Sequence, residues 1–252
     1  MAFSFNGTHV RTLGFSARLL EVPLLPEFSQ DTLSLPELQG VLDLPKRIGS
    51  RTLSFELGLK ATSRTEQQEK LSALGKLLDQ DAAPLILDIS PARFITARLK
   101  EAPIFSRIGT FSLRAYISFL ASDPYFYSKE PFEKTIRGSG HSTLSFHELK
   151  TDYKTPLMLS LTSEAKTTME IQLGNDLMRL THIFNKGEIL ELDGKLKTAR
   201  IIQDTRIRSG LAALSSPTFF EITPEDELQI SIEGNPEKLS ARFFVYGKWR
   251  TL

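Results

Sequence analysis

Apolar and polar residues alternate along most of the chain, and a period of two is that of a strand with one buried face. Over 51–60, Leu53, Phe55, Leu57 and Leu59 share one face while Thr52, Ser54, Glu56 and Lys60 share the other. A longer run, 110–120, sets Phe111, Leu113, Ala115, Ile117 and Phe119 against Thr110, Ser112, Arg114, Tyr116 and Ser118. At ~3.3 Å per residue it spans roughly 35 Å. Shorter strands are expected at 85–89 and 94–100, split by the turn-forming Ser90-Pro91. One segment changes period. Leu71, Leu74, Leu77 and Leu78 recur at helical spacing, and Ser63-Arg64-Thr65-Glu66 has the spacing of a capping box. This predicts a single amphipathic helix over about 65–79, with Glu66, Gln67, Glu69 and Lys70 in water and the leucines on a sheet.

Between 21 and 45 the period is lost, and Pro23, Pro26, Pro36 and Pro45 stand among scattered leucines. This reads as a long extended arm or loop that packs on something, a neighbouring subunit being one candidate. Composition shifts after Asp123-Pro124-Tyr125-Phe126-Tyr127, which places a boundary near 130 and two β-rich domains at 1–130 and 131–252. The three aromatics suit a wedge between the domains. Beyond them, strands are expected at 133–137, 142–146, 157–161, 168–173, 178–184, 188–192, 195–202, 219–222, 228–232 and 239–248. The intervening turns are 138–140, 174–176, 185–187, 193–194 and 234–236. Asp193-Gly194 reads as a two-residue hairpin turn with positive φ. Many short strands without a helical pattern point to an antiparallel sandwich or a jelly-roll-like fold.

Composition narrows the function classes. Of 252 residues, 40% are hydrophobic and 24% charged, which is ordinary for a globular chain and excludes a disordered or collagen-like one. A net charge of +1 gives no overall field toward nucleic acid or an anionic membrane. Without cysteine there is no disulfide, thiolate metal site or thiol nucleophile. The opening MAFSFNGTHV has no basic start, apolar stretch or cleavage site, so no signal peptide is expected, and no apolar run approaches a membrane span.

Candidate chemistry is sparse. Gly138-Ser139-Gly140 has two glycines of a dinucleotide fingerprint but reads as a hairpin turn. Ser163-Glu164-Ala165-Lys166 matches S-x-x-K without its companion motifs. His141 and His147, with Glu148, would make a metal site only on a bent hairpin, since a straight strand holds them ~20 Å apart. His9 and His182 stand alone. Glu225-Asp226-Glu227 and Glu188, Glu191 and Asp193 are the acids available for a carboxylate pair, and turns and outer strand faces account for them. Arg200, Arg206 and Arg208 form a local cluster, less than a nucleic-acid reader needs. Trp249 is the single tryptophan, so no broad platform for sugar rings is evident. Catalytic, cofactor and metal residues are therefore assigned as none.

The order of features nevertheless resembles a known family. The opening strand Phe3-Ser4-Phe5-Asn6-Gly7, the irregular arm, the strand at 53–59, the leucine helix, then LILDISPARFITARLK and FSLRAYISFLASDPYFYSKE are similar to the distal tail protein (Dit) family of long, non-contractile-tailed bacteriophages. The likeness extends through ELDGKLKTARI, SSPTFFEITPEDELQISI and ARFFVYGKWRTL, and departs at the Leu24 to Pro45 arm, where the family's glycine-rich turn has no match.

The resemblance implies a mostly β protein with one helix: an N-terminal β-rich ring-forming domain and a C-terminal galectin-like antiparallel β-sandwich. It implies a non-enzymatic hub of the tail tip, found in the virion and assembled in the host cytoplasm. Its implied partners are five other copies in a hexameric ring, a second ring back to back when isolated, the tail tube protein, the tail-associated (Tal) protein and the receptor-binding protein. DNA would pass through the lumen without sequence-specific binding, and no membrane or cofactor is implied. The alternatives are a carbohydrate-binding adhesion module and a cell-wall hydrolase.

Overall fold

The computed structural model describes residues 2–30, 32–33, 42–216 and 218–252. The chain divides into two compact units, Met1–Lys129 with Trp249–Leu252, and Glu130–Lys248. The last four residues, placed by the sequence pattern with the second half, thus belong to the first unit. Trp249 explains it: the ring is buried in the first unit's core, and the strand that carries it pairs with Phe126–Ser128.

The first unit is built on one antiparallel sheet in the order Thr8–His9, Phe3–Phe5, Ala83–Leu87, Arg93–Leu99, Ser112–Ala121, Arg51–Lys60, Phe15–Glu21. The two long alternating runs lie side by side over their whole length, from Lys60 opposite Ser112 to Arg51 opposite Ala121. Their apolar faces therefore coincide, Phe55 beside Ile117 and Leu57 beside Ala115. Phe3, Phe55 and Phe119 meet there, with ring centroids 4.4, 5.3 and 6.0 Å apart.

The sheet cannot be flat. Seven strands at ~4.8 Å would separate the end strands by about 29 Å. Yet those ends, Thr8–His9 and Phe15–Glu21, are joined by the one-turn 3-10 helix Val10–Leu13, and six residues reach about 20 Å at most. The sheet curls, and Asn6-Gly7 begins the curl as a hairpin turn whose φ values of 47° and 76° are both positive.

The helix is Arg64–Leu78, capped by Ser63, whose Oγ accepts from Glu66 N at 3.2 Å. Glu66 returns the contact one residue further out, accepting from Thr62 N (2.7 Å) and Thr62 Oγ (2.6 Å). Leu74 and Leu78 are buried, with Leu71 and Leu77 packed beside them. Gln67, expected in water, is buried as well, because positions 67, 71, 74 and 78 fall on one helical face.

The arm is partly laddered where a loop is expected: Phe28–Ser29 pairs with Arg47–Ile48, and Thr32–Leu33 with Leu42–Asp43. The rest of the expected arm, 31 and 34–41, lies outside the described residues.

The second unit is a two-sheet antiparallel sandwich. One sheet runs Phe132–Arg137, Ser240–Val245, Thr155–Thr162, Glu188–Asp193, Thr198–Gln203, Arg206–Ser209; the other runs Gly140–Ser145, Glu227–Glu233, Lys166–Leu173, Asp176–Ile183, Leu214–Ser216. Inward residues of both, such as Leu159, Phe243, Met169 and Ile230, form one core. Two turn assignments change. Gly138-Ser139-Gly140 is no hairpin turn, since the strands on either side lie in different sheets. The turn expected at 185–187 is present and likewise links one sheet to the other. Asp193 pairs with Thr198, so the hairpin there has four loop residues and its positive φ falls on Lys197, at 53°.

Candidate functional site

The histidines and acids singled out by sequence do not gather into a reaction centre. His141 lies on a strand opposite Ser231, while His147 faces Glu227 at 3.9 Å and Glu148 faces Lys134 at 3.7 Å. Among the described residues, no three potential ligands assemble around a point. His9 is not alone: its Nε2 meets Asp88 Oδ1 at 3.1 Å, and its Nδ1 accepts from Arg11 N to cap the 3-10 turn. Partial burial pushes the Asp88 carboxyl up, but donation from Ala2 N (2.9 Å) and His9 outweighs it and leaves the pKa lowered. Asp226 accepts from Thr223 N and Oγ, a turn role, and Asp193 accepts from Lys195 N and Leu196 N. Ser163 is buried and accepts from Thr167 Oγ at 2.8 Å. Of the aromatic triplet, Phe126 sits in the first unit's core and Tyr127 donates to Asp123 Oδ2 at 2.9 Å. Burial first, then the neighbouring Asp123 charge, raises the Tyr127 pKa. Trp249 carries the Arg93 guanidinium over its ring at 4.1 Å.

What the first unit presents instead is unfinished surface. The Phe105–Gly109 strand pairs with Ser112–Ala121 on one side, and among the described residues no strand covers its other edge. Ile104, Ile108 and Tyr116 on and beside this hairpin are 83%, 57% and 62% exposed. The same strand borders an apolar hollow of about 280 Å³ between the helix and the sheet, lined by Leu71, Leu74, Leu78, Leu99, Pro103 and Phe105. The arm exposes Leu24, Leu25, Phe28 and Ile48, with Lys46 Nζ 3.3 Å above the Phe28 ring. A bare strand edge flanked by isoleucines offers unpaired backbone groups and apolar area together.

The second unit holds one charged constellation that sequence pattern did not assemble. Glu188, expected on an outer strand face, is only 2% exposed. Its Oε2 accepts from Asn185 N (2.9 Å) and lies 3.3 Å from His182 Nε2; its Oε1 accepts from Asn185 Nδ2 (3.1 Å) and Arg208 Nη2 (2.6 Å). Burial raises the carboxyl pKa, but these donors and the Arg208 charge outweigh it and hold the value at about 2. The signal was present in the alternation: Glu188 shares parity with Leu190 and Leu192, both buried, so it points inward. His182 and Arg208, treated apart, are both bound to it.

No protein-family model matches the sequence, and no curated protein is similar to it at a significant level. Solved structures are similar in fold. The Dit protein of phage SPP1, described as a hub of the adsorption apparatus of phages infecting Gram-positive bacteria, superposes with a TM-score of 0.70 at 12% identity over 98% of each chain. A chain of the phage p2 baseplate in its activated conformation, determined with calcium and again with strontium, superposes with a TM-score of 0.58 at 10% identity. That match covers 94% of this chain and 92% of the other. The chain therefore has the Dit-type fold: mostly β, antiparallel, with a single helix of any length among the described residues.

Proposed function

We propose that the chain is a structural hub of a phage tail tip, in which the first unit closes into a hexameric ring. The ring joins the tail tube to the tail-associated and receptor-binding proteins, and DNA passes through its lumen. The second unit is a galectin-like sandwich, and no bond is made or broken in any substrate. The full-length fold likeness to a phage hub protein carries this reading. The surfaces support it physically. A ring needs two different patches per copy that meet head to tail, with a rotation that closes. The bare Phe105–Gly109 edge with Ile104 and Ile108 is one such patch, and the apolar arm around Leu24 and Phe28 is a second. Multi-angle light scattering of the full chain across a concentration series tests the assembly, with negative-stain images for its symmetry. A mass of six or twelve copies and a six-fold annulus are expected; a monomer at every concentration would end the proposal.

A further inference from the structure

The second unit carries a basic cleft on the open flank of its sandwich. Strand register builds it in rows: Glu188 stands beside Gln203 and Gln203 beside Arg206, while Leu190 stands beside Ile201 and Ile201 beside Arg208. Residues in one row share a face, so Arg206 and Arg208 extend the inward face of the sheet onto its last strand, Arg206–Ser209. Most inward positions elsewhere in the sandwich are apolar, with Thr155, Thr167 and Glu188 among the buried polar exceptions. Here the inward face ends in two cations. Asn185, Gln203, Arg206 and Arg208, over Ile201, line a hollow of about 490 Å³. A second hollow of about 410 Å³ shares Arg208 and Ile201 with the first and adds Lys166, Thr181, His182 and Ser209.

Charge sets what these hollows accept. Lys166, Arg206 and Arg208 face them, and the one carboxylate in either lining is Glu188, already engaged by Arg208, His182 and Asn185. Glu188 acts as a buried anchor that holds one guanidinium nitrogen of Arg208 and the Asn185 amide, which limits the side-chain freedom that binding costs. One inward cation on an end strand serves to discourage edge pairing, but that role does not require a second arginine, two amides and two hydroxyls around paired hollows.

The geometry points to this cleft as a binding site for an anionic polyol chain, one whose phosphodiester groups meet the arginines while its hydroxyls meet Asn185, Gln203, Thr181 and Ser209. Two hollows sharing one arginine suit consecutive groups of a polymer. A single-stranded nucleic acid fits less well, because His182 is the only ring in either lining and bases need flat partners to stack on.

The test titrates the full-length protein with poly(glycerol phosphate) at low and high salt, beside dextran, poly-glutamate and a single-stranded oligonucleotide. Binding to the polyol phosphate, weakening as salt rises and exceeding that to the other three, is the expected result. Arg206→Glu leaves every partner of Glu188 in place and should weaken binding about tenfold or more, the order of one lost charge-assisted contact. Arg208→Lys keeps the charge but loses the planar fork, and should weaken it less. No binding by the parent protein, equal binding to the oligonucleotide or to poly-glutamate, or an Arg206→Glu variant indistinguishable from the parent would each overturn the site. Light scattering on the same samples reads self-association separately, so loss of this site leaves the hub reading to stand or fall by itself.

Discussion

Gly194 is required by space rather than by backbone angle. A β-carbon there would lie 2.4 Å from the Leu157 carbonyl oxygen, to which Gly194 N donates at 3.1 Å, and 3.2 Å from Pro156 Cβ. Because the nearest atom is backbone, no side chain can swing aside. Gly194→Ala should destabilise the second unit by about 1–3 kcal/mol, read as a lower denaturant midpoint with unchanged slope. Glu188 carries a pH effect instead. Its folded pKa of about 2 lies below the ordinary 4.5, so the unfolded chain takes up this proton first as pH falls. The stabilisation is complete above pH 4.5 and is lost as pH drops toward 2. Thermal unfolding of the parent and of Glu188→Gln between those values should show the parent losing stability more steeply; parallel curves would mean that the cluster contributes nothing through ionisation.

Among the elements, the helix rests most visibly on a single side chain. Ser63→Ala removes the bond to Glu66 N and should cost about 1 kcal/mol, measurable by urea unfolding, with Ser63→Asp restoring it. This helix and the two long alternating strands were legible because each repeats one periodicity over ten or more residues. The closing Arg206–Ser209 strand was not: every residue in it is exposed, so no apolar alternation marks it. The arm escaped for a related reason, its paired stretches being only two residues long. Turn type was less legible than turn position. Glycines at 138 and 187 announce a reversal, but whether the chain pairs back or crosses to the facing sheet depends on partners some hundred residues away, as Phe132–Arg137 pairing with Ser240–Val245 shows. The Glu188 cluster was half legible. Parity turned the acid inward, but only the fold brings Arg208 and His182 to it, since those side chains come from strands in opposite sheets.

At the scale of the whole molecule, the second unit is inserted between Lys129 and Trp249, two positions of the first. The final strand of the first unit is thus held in sequence by the fold of the second. When the second unit is folded, its ends are fixed and the strand docks as a nearly local element. When it unfolds, docking must close a loop of roughly a hundred disordered residues, an entropic cost of about 4–5 kcal/mol. What the strand gains on docking is the burial of Trp249, the Arg93 stacking at 4.1 Å and bonds to the Arg250 and Thr251 carbonyls from Arg51 and Arg93. Burying an aromatic of that size contributes about 3 kcal/mol or somewhat more, comparable to the loop cost, so the strand should release when the second unit melts. Trp249 is the sole tryptophan and reports this directly. Met169→Ala, a cavity in the second core, should lower the temperature at which Trp249 fluorescence shifts to the red, in step with the second unit's loss of circular dichroism. Leu74→Ala, in the first core, should lower the remaining transition. A tryptophan signal that ignores Met169→Ala and follows Leu74→Ala alone would show that the closing strand holds by its own contacts, independently of the unit inserted before it.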